Sequence, residues 1–125
     1  MEFYRCNHCG NVIAYLVNSG VKVQCCGEPM QLLVPNTSDG ASEKHVPVIE
    51  VNGNKVVVKV GEVAHPMAED HYIEWIALET KAGNQRHILK PGDKPETVFA
   101  IEEGDDVVAA YAYCNKHGLW LKENH

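Results

Sequence analysis

The sequence predicts a mainly β protein in two parts: a small metal-stapled module over residues 1–36 and an immunoglobulin-like seven-stranded β-sandwich over residues 37–125. Three observations carry this reading. Four of the five cysteines fall within the first 26 residues, and an odd, tightly spaced set points to metal ligation rather than disulfides. From residue 46 onward, short β-branched and aromatic runs alternate with Gly, Pro and Asn turns, without a helical stripe. Between the two regions, Val34-Pro35-Asn36-Thr37-Ser38-Asp39-Gly40-Ala41-Ser42 is rich in proline, glycine and small polar residues and has no apolar period, which marks a linker.

In the first module, Cys6-Asn7-His8-Cys9-Gly10 is a C-x2-C knuckle and Cys25-Cys26-Gly27 supplies a second pair. Each pair is followed by glycine, which lets the chain turn tightly around an ion. Val12 to Val17 and Val21 to Gln24 are expected as two strands joined by Asn18-Ser19-Gly20. So little apolar material makes no stable core alone, and bound metal must supply folding free energy, on the order of 10 kcal/mol. A closed zinc site is the general reading of four thiolates. The adjacent pair Cys25-Cys26 departs from the two-knuckle zinc ribbon and resembles desulforedoxin, whose small domain binds iron through four cysteines. His8 is read as a loop residue, because the tetrahedral set is complete without it.

The second region reads strand by strand. Val46 to Val51 leads through Asn52-Gly53-Asn54 into Lys55 to Val60, a hairpin signal. Ile73 to Glu79 and Gln85 to Leu89 flank Lys81-Ala82-Gly83-Asn84. Thr97 to Ile101 follows a Pro91-to-Pro95 turn, and Val107 to Cys114 and Leu119 to Leu121 complete seven strands. Trp75 and Trp120 are assigned to the core or its seam.

Ligand-type residues fall at the ends of these runs. His45 opens the first strand, His65 and His71 share one connection, and Cys114-Asn115-Lys116-His117 pairs a thiol with an imidazole three residues on. Loops at one end of a rigid sandwich are where a site is built. Four imidazoles and one thiolate suit iron better than hard-oxygen metals. His87 and His125 lack such grouping and are left out.

The net charge of −6 and pI near 5.6 argue against nucleic-acid or anionic-membrane binding. The first residues lack the pattern of a signal peptide and no segment is long enough to span a bilayer, so the cytoplasm is expected.

Taken together, Cys6-x2-Cys9, Cys25-Cys26-Gly27-Glu28-Pro29-Met30, Glu43-Lys44-His45-Val46-Pro47, His65-Pro66-Met67, His71-x2-Glu74-Trp75 and Cys114-Asn115-x-His117-Gly118 resemble a two-iron desulfoferrodoxin, the two-domain form of superoxide reductase. The resemblance covers nearly the whole chain. It implies a first iron on Cys6, Cys9, Cys25 and Cys26. It implies a second iron ringed by His45, His65, His71 and His117, with Cys114 as axial thiolate and one face open. By the same resemblance, ferrous iron at that face reduces superoxide by one electron to hydrogen peroxide, in superoxide detoxification. Lys44 would steer and hold the anion, Lys116 would add to the field, and Glu43 would take the open position in the ferric state. A rubredoxin-like electron donor and a homodimer are expected on the same ground. The alternatives are a non-catalytic iron electron-transfer protein, a zinc-bound binding module, and a dismutase that releases oxygen as well as peroxide.

Overall fold

In the computed structural model, which describes residues 1–124, the chain forms two compact units, Met1–Val34 and a second that begins at Pro35. The first has little apolar surface to bury, with Phe3, Cys6 and Met30 as its buried side chains. Its strands are accordingly short: β1 (Tyr4–Arg5), β2 (Val12–Ile13), β3 (Gln24–Cys25), β4 (Glu28–Pro29) and β5 (Gln31–Leu32). They pair as a β2-β1-β5 sheet and a separate β3-β4 hairpin.

The expected hairpin of Val12–Val17 with Val21–Gln24 does not form. Of the first run only Val12–Ile13 becomes a strand, which pairs with β1, and of the second only Gln24, which opens β3 and pairs with β4. Leu16 and Val17 are 99% and 84% exposed, so the apolar run finds nothing to pack on and does not extend. Instead β3 and β4 close a two-residue turn across Cys26 and Gly27, with φ of 53° and 79°. Two successive left-handed residues define a type I′ turn. Gly27 adopts this freely and Cys26 does so at a cost, which places the adjacent cysteines on a bend rather than along a strand.

The second unit begins with a helical turn, α1 (Ser42–His45), where the sequence reading opened a strand at His45. The Val46 N–H donates to Ser42 O at 2.9 Å and closes the turn. Pro47 then stops it, because a proline forces the preceding residue to extend, and Val46 has φ −68° and ψ 123°. Seven strands follow: β6 (Pro47–Asn52), β7 (Lys55–Val60), β8 (Ile73–Thr80), β9 (Asn84–Ile88), β10 (Glu96–Ala100), β11 (Val107–Cys114) and β12 (Gly118–Glu123).

They make two antiparallel sheets, ordered β10-β7-β6 and β12-β11-β8-β9. This is the expected sandwich. Val56, Val58 and Val60 alternate inward from one sheet; Ile76, Leu78, Ala110 and Ala112 face them from the other, with Phe99 between. Burial of such side chains at roughly 1.5–3 kcal/mol each is what holds the sheets together. Near one end the β11–β8 ladder slips a residue, from Tyr113↔Trp75 to Cys114↔Ile73. Irregularities of this kind re-aim side chains at sheet ends, and this one falls at Cys114, which is fully buried.

Candidate metal centres

In the first unit, Cys6, Cys9, Cys25 and Cys26 bring their four sulfurs within 4.8 Å of one another. Cys9 Sγ and Cys25 Sγ are 3.6 Å apart. A tetrahedron with metal–sulfur bonds of about 2.3 Å has edges of roughly 3.8 Å, so the donors fit one ion. The Cys9 N–H points at Cys6 Sγ at 3.5 Å. That backbone donor, with the one of His8, brings the Cys6 thiol down to about 6. Cys26 is pushed up to about 12 by sharing hydrogen bonds with Cys6, Cys9 and Cys25. Four sulfurs so close do not ionise together unless a cation offsets their charge.

In the second unit, His45 comes from the end of α1, His65 and His71 from the β7–β8 connection, Cys114 from the last position of β11, and His117 from the turn into β12. Their five donor atoms lie within 4.8 Å of one another. Going round the ring, centroids are 4.6 Å (His45–His65), 4.8 Å (His65–His71), 5.0 Å (His71–His117) and 4.8 Å (His117–His45), while the diagonal His45–His71 is 6.5 Å. Four near-equal edges and a longer diagonal describe a square.

His45 Nε2 is 3.1 Å from His65 Nε2 and 3.1 Å from His117 Nδ1. Metal–nitrogen bonds of about 2.1 Å put neighbouring corners of a square roughly 3.0 Å apart, so the nitrogens suit a single ion. Cys114 Sγ lies 3.7 Å from His117 Nδ1. His71 Nε2 is buried and, among the described residues, has no hydrogen-bond partner. A buried nitrogen without a partner is costly unless something else takes its lone pair.

Backbone carbonyls set two of the tautomers. His45 Nδ1–H donates to Ala41 O at 2.8 Å and His65 Nδ1–H to Pro66 O at 2.7 Å, which turns each Nε2 lone pair inward. Trp120 Nε1–H donates to His117 O at 3.1 Å, and its ring packs on His45 with centroids 4.8 Å apart. Burial lowers the pKa of His45 and His71 and takes His65 to about 4, so these rings stay neutral and able to bind metal. Burial pushes the Cys114 thiol up, and a bound cation reverses that by favouring thiolate.

Lys44 and Glu43 are exposed on α1. The Lys44 ammonium acts on His45 and His71, and Lys116 on His71, each disfavouring a second positive charge on the ring. Lys116 Nζ also lies 3.9 Å from Asp70 Oδ2. The Glu43 carboxylate is not part of the five-donor group; its backbone oxygen accepts from Val63 N–H at 3.0 Å. His8 pairs with Glu28 at 3.0 Å on the surface. His87 bonds Thr97 Oγ1 at 2.5 Å and stacks on Phe99, and His125 lies outside the described residues. Sequence reasoning missed the carbonyls of Ala41 and Pro66, the Trp120 support, and the use of Nδ1 by His117 alone.

Fold and donor sets together define a two-centre metalloprotein, with one tetrathiolate module and one four-imidazole, one-thiolate site on a β-sandwich. The family model for desulfoferrodoxin matches residues 37–123, and that for the desulfoferrodoxin N-terminal domain matches residues 1–33. The desulfoferrodoxin of Nitratidesulfovibrio vulgaris is 52% identical over 122 residues, covering 98% of this chain and 95% of that one. The crystal structure of the superoxide reductase from Treponema pallidum superposes with a TM-score of 0.83 at 39% identity, covering 98% of both chains. A superoxide reductase (1Fe-SOR) from Giardia intestinalis superposes with a TM-score of 0.57 at 34% identity, over 66% of this chain and 98% of its own. This chain belongs to the desulfoferrodoxin family.

Proposed function

We propose that the chain is a superoxide reductase, an oxidoreductase that acts on superoxide as acceptor and serves in superoxide detoxification. The observation that carries this is the square of imidazoles with a fully buried thiol beside it and exposed lysines near it. The relatives named as superoxide reductases support the same reading. Iron is the metal at both centres: Cys6, Cys9, Cys25 and Cys26 hold one, and His45, His65, His71, His117 and Cys114 hold the other. When bound at the second site, ferrous iron supplies the one electron that, with two protons, turns superoxide into hydrogen peroxide.

The protein's own residues do the rest. Cys114, on the core side, is sealed from water. Lys44 attracts and holds a small anion on a chain whose net charge is −6, and orders the water that delivers a proton. Glu43, its neighbour on α1, would supply a carboxylate to the metal held by the imidazoles between turnovers, by swinging its exposed side chain toward them. The electron returns from an external donor, for which we assign a rubredoxin-like protein.

A homodimer and a cytoplasmic location complete the proposal. The exposed Leu16, Val17 and Val21 support the first, and five unpaired cysteines support the second. Among the described residues no helix is long and apolar enough to cross a membrane.

The test is superoxide decay after pulse radiolysis, followed with wild type and Lys44→Ala. Wild type with a reductant should yield one peroxide per superoxide, and Lys44→Ala should react about tenfold or more slowly with a flatter salt dependence. Oxygen release with half the peroxide would make it a dismutase. No reaction with superoxide would leave an electron-transfer protein.

A further inference from the structure

We infer that Asn115 is a positioning residue that sets the His71 imidazole in the second metal centre, by clamping the backbone on both sides of that histidine. The inference rests on the reading of the five-donor group as a metal site.

Three hydrogen bonds make the clamp. Asn115 Oδ1 accepts from Tyr72 N–H at 2.9 Å, Asn115 Nδ2–H donates to Asp70 O at 3.1 Å, and Asn115 N–H donates to Tyr72 O at 3.2 Å. Both faces of one amide are thus spent on the residues immediately before and after His71. The neighbouring Lys116 ammonium adds a long contact to the Asp70 carboxylate at 3.9 Å.

His71 needs this more than the other imidazoles. Carbonyls of Ala41 and Pro66 hold the outer nitrogens of His45 and His65, and the Trp120 indole holds the His117 backbone. Among the described residues, no hydrogen bond fixes the His71 ring, and its inward Nε2 is without a partner. Its backbone meets only Ala68, through a bridge of 3.0 and 3.2 Å. The orientation of this ring is therefore inherited from its main chain, and the main chain is tied to the loop that carries Cys114 and His117. Because Asn115 sits between those two ligands in sequence, one side chain links the third imidazole to the thiolate and the fourth.

Metal-site partners of this kind change affinity by about 10- to 100-fold when removed. In the full-length two-iron protein, Asn115→Ala should release iron from the histidine site to a ferrous chelator that much more readily. Absorption from the four-cysteine iron should stay unchanged in the same sample, and the electron spin resonance of the oxidised histidine site should change in rhombicity. Asn115→Asp keeps the acceptor for Tyr72 N–H and loses the donor to Asp70, so it should fall between wild type and alanine; it replaces alanine if that variant does not fold.

A double-mutant cycle separates positioning from general stability. On a His71→Ala background, removing the Asn115 side chain should alter iron release by less than about twofold. Wild-type iron retention in the Asn115 variants, or an undiminished effect on the His71→Ala background, would overturn the inference. A wild-type chain that takes up only one iron would instead overturn the second centre, and this inference with it.

Discussion

Gly61→Ala asks how tightly the turn bearing His45 is seated. A Cβ at position 61 would lie 2.6 Å from Glu43 O, 2.9 Å from Lys44 C and 3.0 Å from Val46 O. All three are main-chain atoms, so no rotamer change relieves the clash. Ordinary contact begins at 3.4 Å, so the turn must retreat by 3.4 − 2.6, or about 0.8 Å. Overpacking of this sort costs about 1–3 kcal/mol. The consequence for chemistry is larger than for folding. His45 rides on that turn with Nε2 3.1 Å from the donor atoms of both His65 and His117, and metal sites keep their bond lengths to within about 0.2 Å. Iron at the histidine site should therefore bind at least about tenfold more weakly, while the four-cysteine absorption is kept. The metal-free protein should melt lower by about 4–8 °C for each kcal/mol lost. Metal analysis, the visible spectrum and calorimetry on one preparation read all three. A Gly61→Ala protein holding both irons at wild-type affinity would show that α1 is not seated by this contact.

Two further outcomes follow from the same structure. Burial takes His65 to about 4, against an unfolded value near 6.5, so between these values the unfolded chain binds more protons than the folded one. The metal-free protein should thus keep its full stability above about pH 6.5 and lose up to roughly 3 kcal/mol on going down to about pH 4. Denaturant titrations at several pH values check this, and a flat profile would contradict it. Leu78→Ala, at a site with 0% exposure between the sheets, should cost about 2–5 kcal/mol in the same assay; a loss under about 1 kcal/mol would mean that this core relaxes around the cavity.

Most of the sandwich was legible because its strands obey a local rule. Lys55-Val56-Val57-Val58-Lys59-Val60 buries every second residue, and the bounding turns announce themselves through Gly53, Gly83 and Gly92, all at positive φ. The metal ligands were legible for a different reason: Cys and His are few, and both donor sets converge in space as grouped. What failed was the inference from apolar content to strand in residues 12–24. Val17 and Val21 have β propensity but no partner surface, and propensity without packing does not make a sheet. The helical turn at Ser42–His45 was hidden because four residues carry no periodicity. Asn115 was hidden too, since between two ligands it reads as an ordinary turn former, and its partners Asp70 and Tyr72 are some 45 and 43 residues away.

The spacing of the two donor sets also orders the filling of the protein with metal. Cys9 and Cys25, whose sulfurs meet at 3.6 Å, are 16 residues apart, whereas His45 and His117 are separated by 72. Closing the longer loop costs only about 1 kcal/mol more in chain entropy, but nothing holds it closed until two sheets have docked. A newly made chain can therefore trap its first ion while most of it is still unfolded, and its second only after the sandwich is complete.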